Sequence, residues 1–307
     1  MLTLLLACNP PPPAPEGLDD STSYMVREFY SDDATFQAGV QGFLAWFDEE
    51  GHELVGVGAD GSNTDSFSVG VLTDEDVARL PLADQVLIDG ENDVWEDRDV
   101  GAAKGVVSLA EMDCDYLTAE DFLVRPDQDN VFSGDWEGYD RTYVTSQEDF
   151  KAASRDGEFD LIETALDPFA GDFDATATAR TVLFTSNEAD PSQVLFADLQ
   201  SYELLLDLRH GRYDIDGVDT PAFAILTYNT DAVWDDEGKN GLVQSYSIEI
   251  NVSTTEDTTL RMLAVWAQPV GGGLEPDDPL VLNYAVNKSL GSSERLSAVC
   301  SGEEEVE

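Results

Sequence analysis

The chain has 307 residues, of which 42% are hydrophobic, and this is enough to build a sizeable core in one large domain or two small ones. It carries 64 acidic side chains against 15 lysines and arginines, giving a formal net charge of −49 at pH 7. Such a surface repels phosphate backbones, which excludes nucleic acid as a partner. The acids are spread along the whole chain, which favours adaptation to a saline or divalent-rich exterior over binding of Ca²⁺ or a cationic partner.

The chain opens with a short apolar run, residues 1–8, that ends in Leu-Leu-Ala-Cys. This run resembles the lipobox of bacterial lipoproteins, in which a small residue precedes the cysteine that becomes the mature first residue. The resemblance covers these eight residues only. It implies that Cys8 is the lipidated residue and that residues 5–7 are the recognition residues. It also implies export and anchoring to a bacterial membrane, the outer membrane being the expected one.

A proline-rich segment follows the cysteine, from Asn9 to Gly17. Proline runs form extended, semi-rigid spacers, and a folded domain attached to a lipid needs such a tether. We therefore assign residues 1–8 to a signal segment and residues 9–22 to a tether.

Residues 23–157 predict a mixed part with a few short helices and strands. The clearest helix is capped by Asp32 or Asp33 and ends at Gly51, since large apolar residues recur at helical spacing between these points. Shorter helices are expected after Thr73, Thr118 and Ser146. The expected strands in this part are residues 66–72, 86–88 and 104–109.

Residues 158–302 change to strand alternation. The expected strands are residues 175–185, 201–208, 220–228, 243–252, 258–268 and 280–285. Short turns between successive strands make them antiparallel neighbours, so this half is predicted to be a meander of about six strands. The fold class is therefore α+β, with the meander forming a curled sheet, a half-barrel or a sandwich. The sequence is compatible with one domain or two for these parts, and residues 303–307 form an acidic tail.

Two cysteines remain after Cys8, namely Cys114 and Cys300. Export would place them in an oxidising compartment, where an even pair of cysteines often forms a disulfide. The alternative is two buried free thiols.

Two acidic turns are candidate Ca²⁺ sites, because oxygen-rich loops suit this ion. One contains Asp214, Asp216 and Asp219 around a glycine, and the other contains Asp127 and Asp129. Neither matches the twelve-residue EF-hand pattern. The sequence implies no other cofactor.

Trp136 and Tyr139 stand close together among acidic residues and form a candidate binding platform for a carbohydrate or a peptide. The alternative is that Trp136 is a half-buried anchor and that nearby Tyr143 is a core residue of a strand.

No catalytic residue is nominated, because the chain lacks a nucleophile elbow, a phosphate-binding loop and any metal-binding histidine spacing. His52 and His210 are expected at the surface. The sequence therefore favours a lipid-anchored, non-enzymatic protein of the cell envelope that binds an unknown envelope protein or ligand, or has a structural role. One version is a curled sheet that holds an apolar ligand. The alternatives are an exported hydrolase with an unrecognised site and a Ca²⁺-dependent adhesion or carbohydrate-binding module.

Overall fold

The computed structural model describes residues 15–157, 161–169, 180–192, 197–215 and 217–306. Within these ranges it contains six α-helices and eleven β-strands. The helices are α1 (Gly17–Arg27), α2 (Asp33–Glu49), α3 (Tyr116–Val124), α4 (Gln128–Val131), α5 (Gln147–Asp156) and α6 (Pro279–Ser301). The strands are β1 (Ser68–Val69), β2 (Gln85–Asp89), β3 (Val94–Asp97), β4 (Lys104–Met112), β5 (Trp136–Tyr143), β6 (Val182–Pro191), β7 (Tyr202–Ile215), β8 (Val218–Asn229), β9 (Val233–Trp234), β10 (Gly241–Ser253) and β11 (Thr259–Val270).

One antiparallel sheet organises the chain, in the order β1-β4-β11-β10-β8-β7-β6-β5, with the short β9 paired to β10. The predicted meander from β6 to β11 is confirmed, and the α+β class with it. Strand β4 extends the sheet beyond β11, and β5 extends it beyond β6. The first and second halves of the chain therefore build the same sheet, and only β2 and β3 form a separate hairpin.

The first part of the fold departs from the sequence expectation at its start. The polar segment up to residue 22 was assigned to the tether, but it begins α1 at Gly17. This helix forms because its apolar side packs on α2. The contact is close at Gly39, where an added Cβ would lie 2.6 Å from the Met25 Cγ atom. The start of α2 is as predicted, since the Asp32 side chain accepts a hydrogen bond from the Thr35 backbone N–H at 3.0 Å.

The expected strand over residues 280–285 is wrong, because this segment opens the long helix α6. Asp278 caps the helix by accepting a hydrogen bond from the Leu280 N–H, and Pro279 occupies the first turn, where its missing N–H costs nothing. A short apolar run looks the same in a buried strand and in a buried helix. The acidic tail is also ordered in part, since the N–H groups of Glu303 and Glu304 both donate to the Ala298 carbonyl.

The first face of the sheet is covered by α1 and α2. Side chains at alternate positions of β8, β10 and β11 point to this face, including Leu226, Ile248 and Met262, and all three are fully buried. They pack against large aromatic side chains of the helices, such as Phe36 and Phe43. This apolar layer is the principal core.

The second face is covered by α3, α4, α5 and α6. A separate apolar cluster forms there, with Leu208 and Phe223 from the sheet and Leu296 from α6. The Cys114–Cys300 disulfide lies at the edge of this cluster and joins the end of α6 to the segment before α3. No helix in the described ranges is both long enough and apolar enough to cross a membrane.

The principal core encloses one acidic side chain, Asp207. It is almost completely buried, and it accepts a hydrogen bond of 2.5 Å from the Tyr30 hydroxyl. Burial raises the pKa of Asp207 to about 7, while the hydrogen bond from Tyr30 opposes part of that rise. The folded protein therefore holds this proton more tightly than the unfolded chain does.

This proton makes stability depend on pH. The contribution of protonated Asp207 to the free energy of unfolding is fully present below the unfolded-state pKa of about 4. It is lost as the pH rises through the folded-state pKa of about 7. Asp207→Asn copies the protonated side chain and still accepts from Tyr30. We expect the variant to gain about 2–3 kcal/mol of unfolding free energy relative to the wild type between pH 5 and pH 8, measured by urea unfolding.

The control is Asp140→Asn, which removes an exposed carboxyl on β5. Its unfolding free energy relative to the wild type should stay nearly constant over the same range. If the difference in unfolding free energy between Asp207→Asn and the wild type also stayed constant, the claim that folded Asp207 retains its proton to higher pH would be contradicted.

Candidate functional site

A cavity of about 200 Å³ lies on the second face, between the sheet and the helices above it. Strands β7, β8, β10 and β11 form its floor, and α3, α4, α6 and the start of β5 form its roof and walls. The apolar lining comes from Leu123, Phe132, Trp136, Leu204, Leu206, Ile225, Leu263 and Val265.

The floor consists of two rows of paired residues that run across the strands. In one row, Leu206 pairs with Thr227, Thr227 with Ser247, and Ser247 with Val265. Side chains at paired positions share a face and lie next to one another. The floor is therefore apolar at both ends of this row and hydroxylated in the middle.

The second row places Glu249 between Ile225 and Leu263. Its carboxylate accepts two hydrogen bonds from Arg261, at 2.9 and 2.8 Å, and both side chains are about 95% buried, with exposed fractions of 6% and 4%. The remaining Arg261 nitrogen donates to the hydroxyls of Ser292 and Ser293 on α6, at 3.0 and 2.9 Å. This network fixes α6 against the floor of the cavity.

Three hydroxyl groups of the floor take no part in such hydrogen bonds among the described residues. The side chains of Thr227, Ser245 and Ser247 line the cavity and make no hydrogen bond to any of the described residues. Their hydroxyl groups can donate or accept, so they offer adaptable polar contacts within an otherwise apolar floor.

One wall is formed by the loop that leads into β5. Lys288 of α6 forms an ion pair of 2.7 Å with Asp135 and donates to the Gly134 carbonyl, also at 2.7 Å. Trp136 and Tyr139 follow, with their rings edge to face and 5.4 Å between centroids. The structure thus places the two residues of the predicted platform together at the cavity wall.

Behind Tyr139 lies Arg141, whose side chain is only 5% exposed. Its guanidinium donates to the Asn187 side chain at 2.8 Å, to the Leu123 and Arg125 carbonyls at 2.7 and 3.0 Å, and to the Tyr139 hydroxyl at 3.3 Å. These bonds join β5 to β6 and to the end of α3, so they hold the wall of the cavity in place.

The residues predicted to bind Ca²⁺ do not come together as a site within the described residues. Asp127 is held by two hydrogen bonds from Arg125, which lower its pKa to about 2. Asp219 pairs with Arg212 at 2.7 Å. Asp216 and the Asp214 side chain lie outside what the structure describes. No group of three or more potential metal ligands occurs in the described ranges, including around Asp129.

The two histidines differ in their placement. His52 is exposed, as expected. His210 is 2% exposed, so the expectation of a surface residue is wrong. It lies on β7, whose alternation points it to the covered second face, and its Nε2 atom is 3.1 Å from the Phe150 carbonyl. Burial lowers the pKa of His210 to about 4, so its ring is neutral at pH 7.

A larger cleft of about 970 Å³ lies beside α1 and α2. Its acidic lining residues are Glu16, Asp19, Asp20, Glu49, Glu50 and Glu53. No lysine or arginine lines it, and its walls are mostly polar. The cavity on the second face is the better candidate site, because apolar walls with a few convergent polar groups are typical of small-molecule pockets.

The polar residues of the site had a visible signal in the sequence. The side chains of Ser245, Ser247, Glu249 and Asn251 alternate with apolar residues along β10. This polar side faces the helices and the cavity. The partners of these residues, Arg261 and the serines of α6, are distant in sequence, and no local pattern connects them.

Comparison with known proteins adds little to this geometry. No protein-family profile matches the chain, and no curated protein matches it. Among solved structures, a START superfamily protein from Mycobacterium smegmatis matches with a TM-score of 0.34 at 9% identity, covering 65% of this chain and 99% of that chain. Dicamba monooxygenase bound to 3,6-dichlorosalicylic acid matches with a TM-score of 0.37 at 11% identity, covering 69% of this chain and 53% of that chain. Apo dicamba monooxygenase matches with a TM-score of 0.32 at 13% identity, covering 67% and 49%. The chain therefore spans about half the length of the monooxygenase chains. At TM-scores this low we draw nothing about function from the likeness.

Proposed function

We propose that the protein is a binding protein that takes a small, largely apolar molecule into the cavity on the second face of its sheet. The observation that carries the proposal is the set of three hydroxyl groups, on Thr227, Ser245 and Ser247, that make no hydrogen bond within the described residues and lie among the apolar side chains of the floor. An apolar lining supplies affinity by removing ligand surface from water, and a few polar groups fix the orientation.

The size of the cavity limits the ligand. Typical ligand pockets have volumes of about 300–1,000 Å³, and an engineered apolar cavity of about 150 Å³ holds benzene. The volume here, about 200 Å³, therefore suits a molecule of roughly one ring. The rigid elements around it support a preformed site, because the Glu249–Arg261 pair fixes α6 to the floor.

Filling the cavity should abolish binding. Ser247→Phe places a ring in the middle of the floor, and Thr142→Phe adds the same ring at an exposed position of β5 outside the cavity. Toluene should raise the melting temperature of full-length protein carrying Cys8→Ser, which removes the lipidation site, because a ligand that binds only the folded state stabilises it. We expect the same rise in the Thr142→Phe background and none in the Ser247→Phe background.

Two outcomes would contradict the proposal. One is that toluene leaves the melting temperature of the parent protein unchanged at concentrations near its solubility limit. The other is that Ser247→Phe folds normally and responds to toluene as strongly as Thr142→Phe does.

We also propose that the protein is exported and held to a bacterial membrane by lipid on Cys8. The lipobox-like run that ends at Cys8 and the proline-rich segment after it support this proposal. The described fold begins soon after that segment, since α1 starts at Gly17. A tether of this length would keep the folded domain close to the membrane surface.

Cys8→Ser should move the protein from the membrane fraction to the soluble fraction in a bacterial host, because the acyl chains can no longer be attached. Asn9→Ser is the matched control, since it alters the neighbouring residue and keeps the thiol. Fractionation followed by immunoblotting measures the change. Retention of Cys8→Ser in the membrane fraction at the wild-type level would contradict the anchor.

A further inference from the structure

The wall of the cavity contains a buried positive charge without a carboxylate partner. Arg141 has four hydrogen bonds, and they go to an amide oxygen, two backbone carbonyls and the Tyr139 hydroxyl. No carboxylate of the described residues lies within ion-pair distance of it. Buried charges are usually paired, and this chain carries 64 acidic side chains that could have supplied a partner. The absence of a counter-ion at Arg141 is therefore a feature that needs an explanation.

The other charged side chains that line or adjoin the cavity form ion pairs. Glu249 is neutralised by Arg261, which meets it through two nitrogens. Asp135 is neutralised by Lys288 at 2.7 Å. Among the described residues, Arg141 is the charged side chain near the cavity that lacks an ion-pair partner, and its positive charge lies close to the end of the cavity at β5.

Tyr139 stands between this charge and the cavity. Its ring lines the cavity, its oxygen accepts the 3.3 Å hydrogen bond from Arg141, and its own proton has no acceptor among the described residues. Burial raises the pKa of Tyr139, which keeps the hydroxyl protonated at neutral pH, while the nearby Arg141 charge opposes that rise. A phenol that accepts from a cation becomes a stronger donor to a second partner.

From this arrangement we infer that the ligand carries an acceptor oxygen, a carbonyl or a carboxylate, which receives the Tyr139 hydroxyl proton in a hydrogen bond. The inference rests on the proposed binding function and adds the chemical class of the ligand, a one-ring carbonyl or carboxylate compound. The apolar part lies over Leu206, Ile225 and Leu263. A carbonyl and a carboxylate share this chemistry, and Arg141 favours the carboxylate through its charge.

The same arrangement discriminates against amines. A ligand ammonium group at this end would lie near the uncompensated guanidinium, and like charges in a poorly solvated site repel strongly. It would also leave the Tyr139 proton without an acceptor. A purely apolar ligand of the same size avoids the repulsion but likewise leaves the hydroxyl unpaired, which lowers its affinity.

Four probes of similar size separate these cases by isothermal titration calorimetry on the full-length Cys8→Ser protein: benzoate, acetophenone, ethylbenzene and benzylamine. We expect benzoate and acetophenone to bind at least about tenfold more tightly than ethylbenzene, since one net hydrogen bond is worth about 1.4 kcal/mol. Benzylamine should bind most weakly. A tighter complex with benzoate than with acetophenone would show that the charge of Arg141 acts on the ligand directly.

Two tyrosine variants test the residue assignment. Tyr139→Phe keeps the ring in the wall and should lower the affinity for benzoate and acetophenone about tenfold, with ethylbenzene unaffected. Tyr143→Phe is the matched control, because the Tyr143 hydroxyl lies on the same strand and donates to the Val124 carbonyl, and Tyr143 does not line the cavity. It should leave the affinities for all four probes unchanged.

The outcomes separate this inference from the binding function itself. Binding of ethylbenzene with no gain for benzoate or acetophenone overturns the inference and leaves the binding function standing. An equal loss for all probes in Tyr139→Phe also overturns it, because Tyr139 would then only line the wall. Failure of every probe to bind overturns the binding function and the inference together. The probe series on the parent protein decides the question even if Tyr139→Phe does not fold.

Discussion

A single sheet with two faces to cover is the constraint on which the rest of the molecule depends. Both halves of the chain contribute strands to it, and β4 and β5 flank the meander of the second half. The first face has an almost wholly apolar surface and is closed by α1 and α2. The second face carries polar side chains in its middle strands, and its helices close it incompletely. The cavity exists because these two faces differ.

Helix α6 determines how far the second face is closed. It is joined at its end to the segment before α3 by the Cys114–Cys300 disulfide. In its middle it is held to the floor by Arg261 through Ser292 and Ser293, and about one turn earlier it is held by the Lys288–Asp135 ion pair. Buried ion pairs add little net stability, but they favour one arrangement of the elements that they join. The buried Glu249–Arg261 pair thus favours one position of α6 over the cavity floor.

Regular local patterns in the sequence were reliable guides to the fold. The alternation along β10 and the helical spacing after Asp32 correctly predicted a strand and a helix, because apolar residues recur with the period of each element. The apolar run at residues 280–285 led to the wrong prediction of a strand, because a buried strand and a buried helix share that composition. The tether assignment failed at α1, where contact with α2 makes a polar segment helical. Such contacts between distant segments are not visible in a local pattern.

The candidate site was only partly visible in the sequence, for a related reason. Trp136 and Tyr139 stood out by type and proximity, and both line the cavity. Arg141 did not stand out, because its significance depends on the absence of a carboxylate around it, which only the folded chain reveals. The acidic turns were conspicuous, yet Asp127 and Asp219 pair with nearby arginines. Because this chain has so many acidic residues, a cluster of carboxylates is weak evidence for a binding site. A buried cation without an ion-pair partner among the described residues is stronger evidence.

The position of a bound probe tests the central claim most directly. Crystals of the full-length Cys8→Ser protein soaked in 4-bromobenzoate would locate the bromine by its anomalous scattering. The proposed binding mode predicts one bromine peak over the apolar floor near Ile225 and Leu263, with the carboxylate within hydrogen-bond distance of the Tyr139 hydroxyl. A bromine peak only outside the cavity, or a carboxylate directed away from Tyr139, would contradict it.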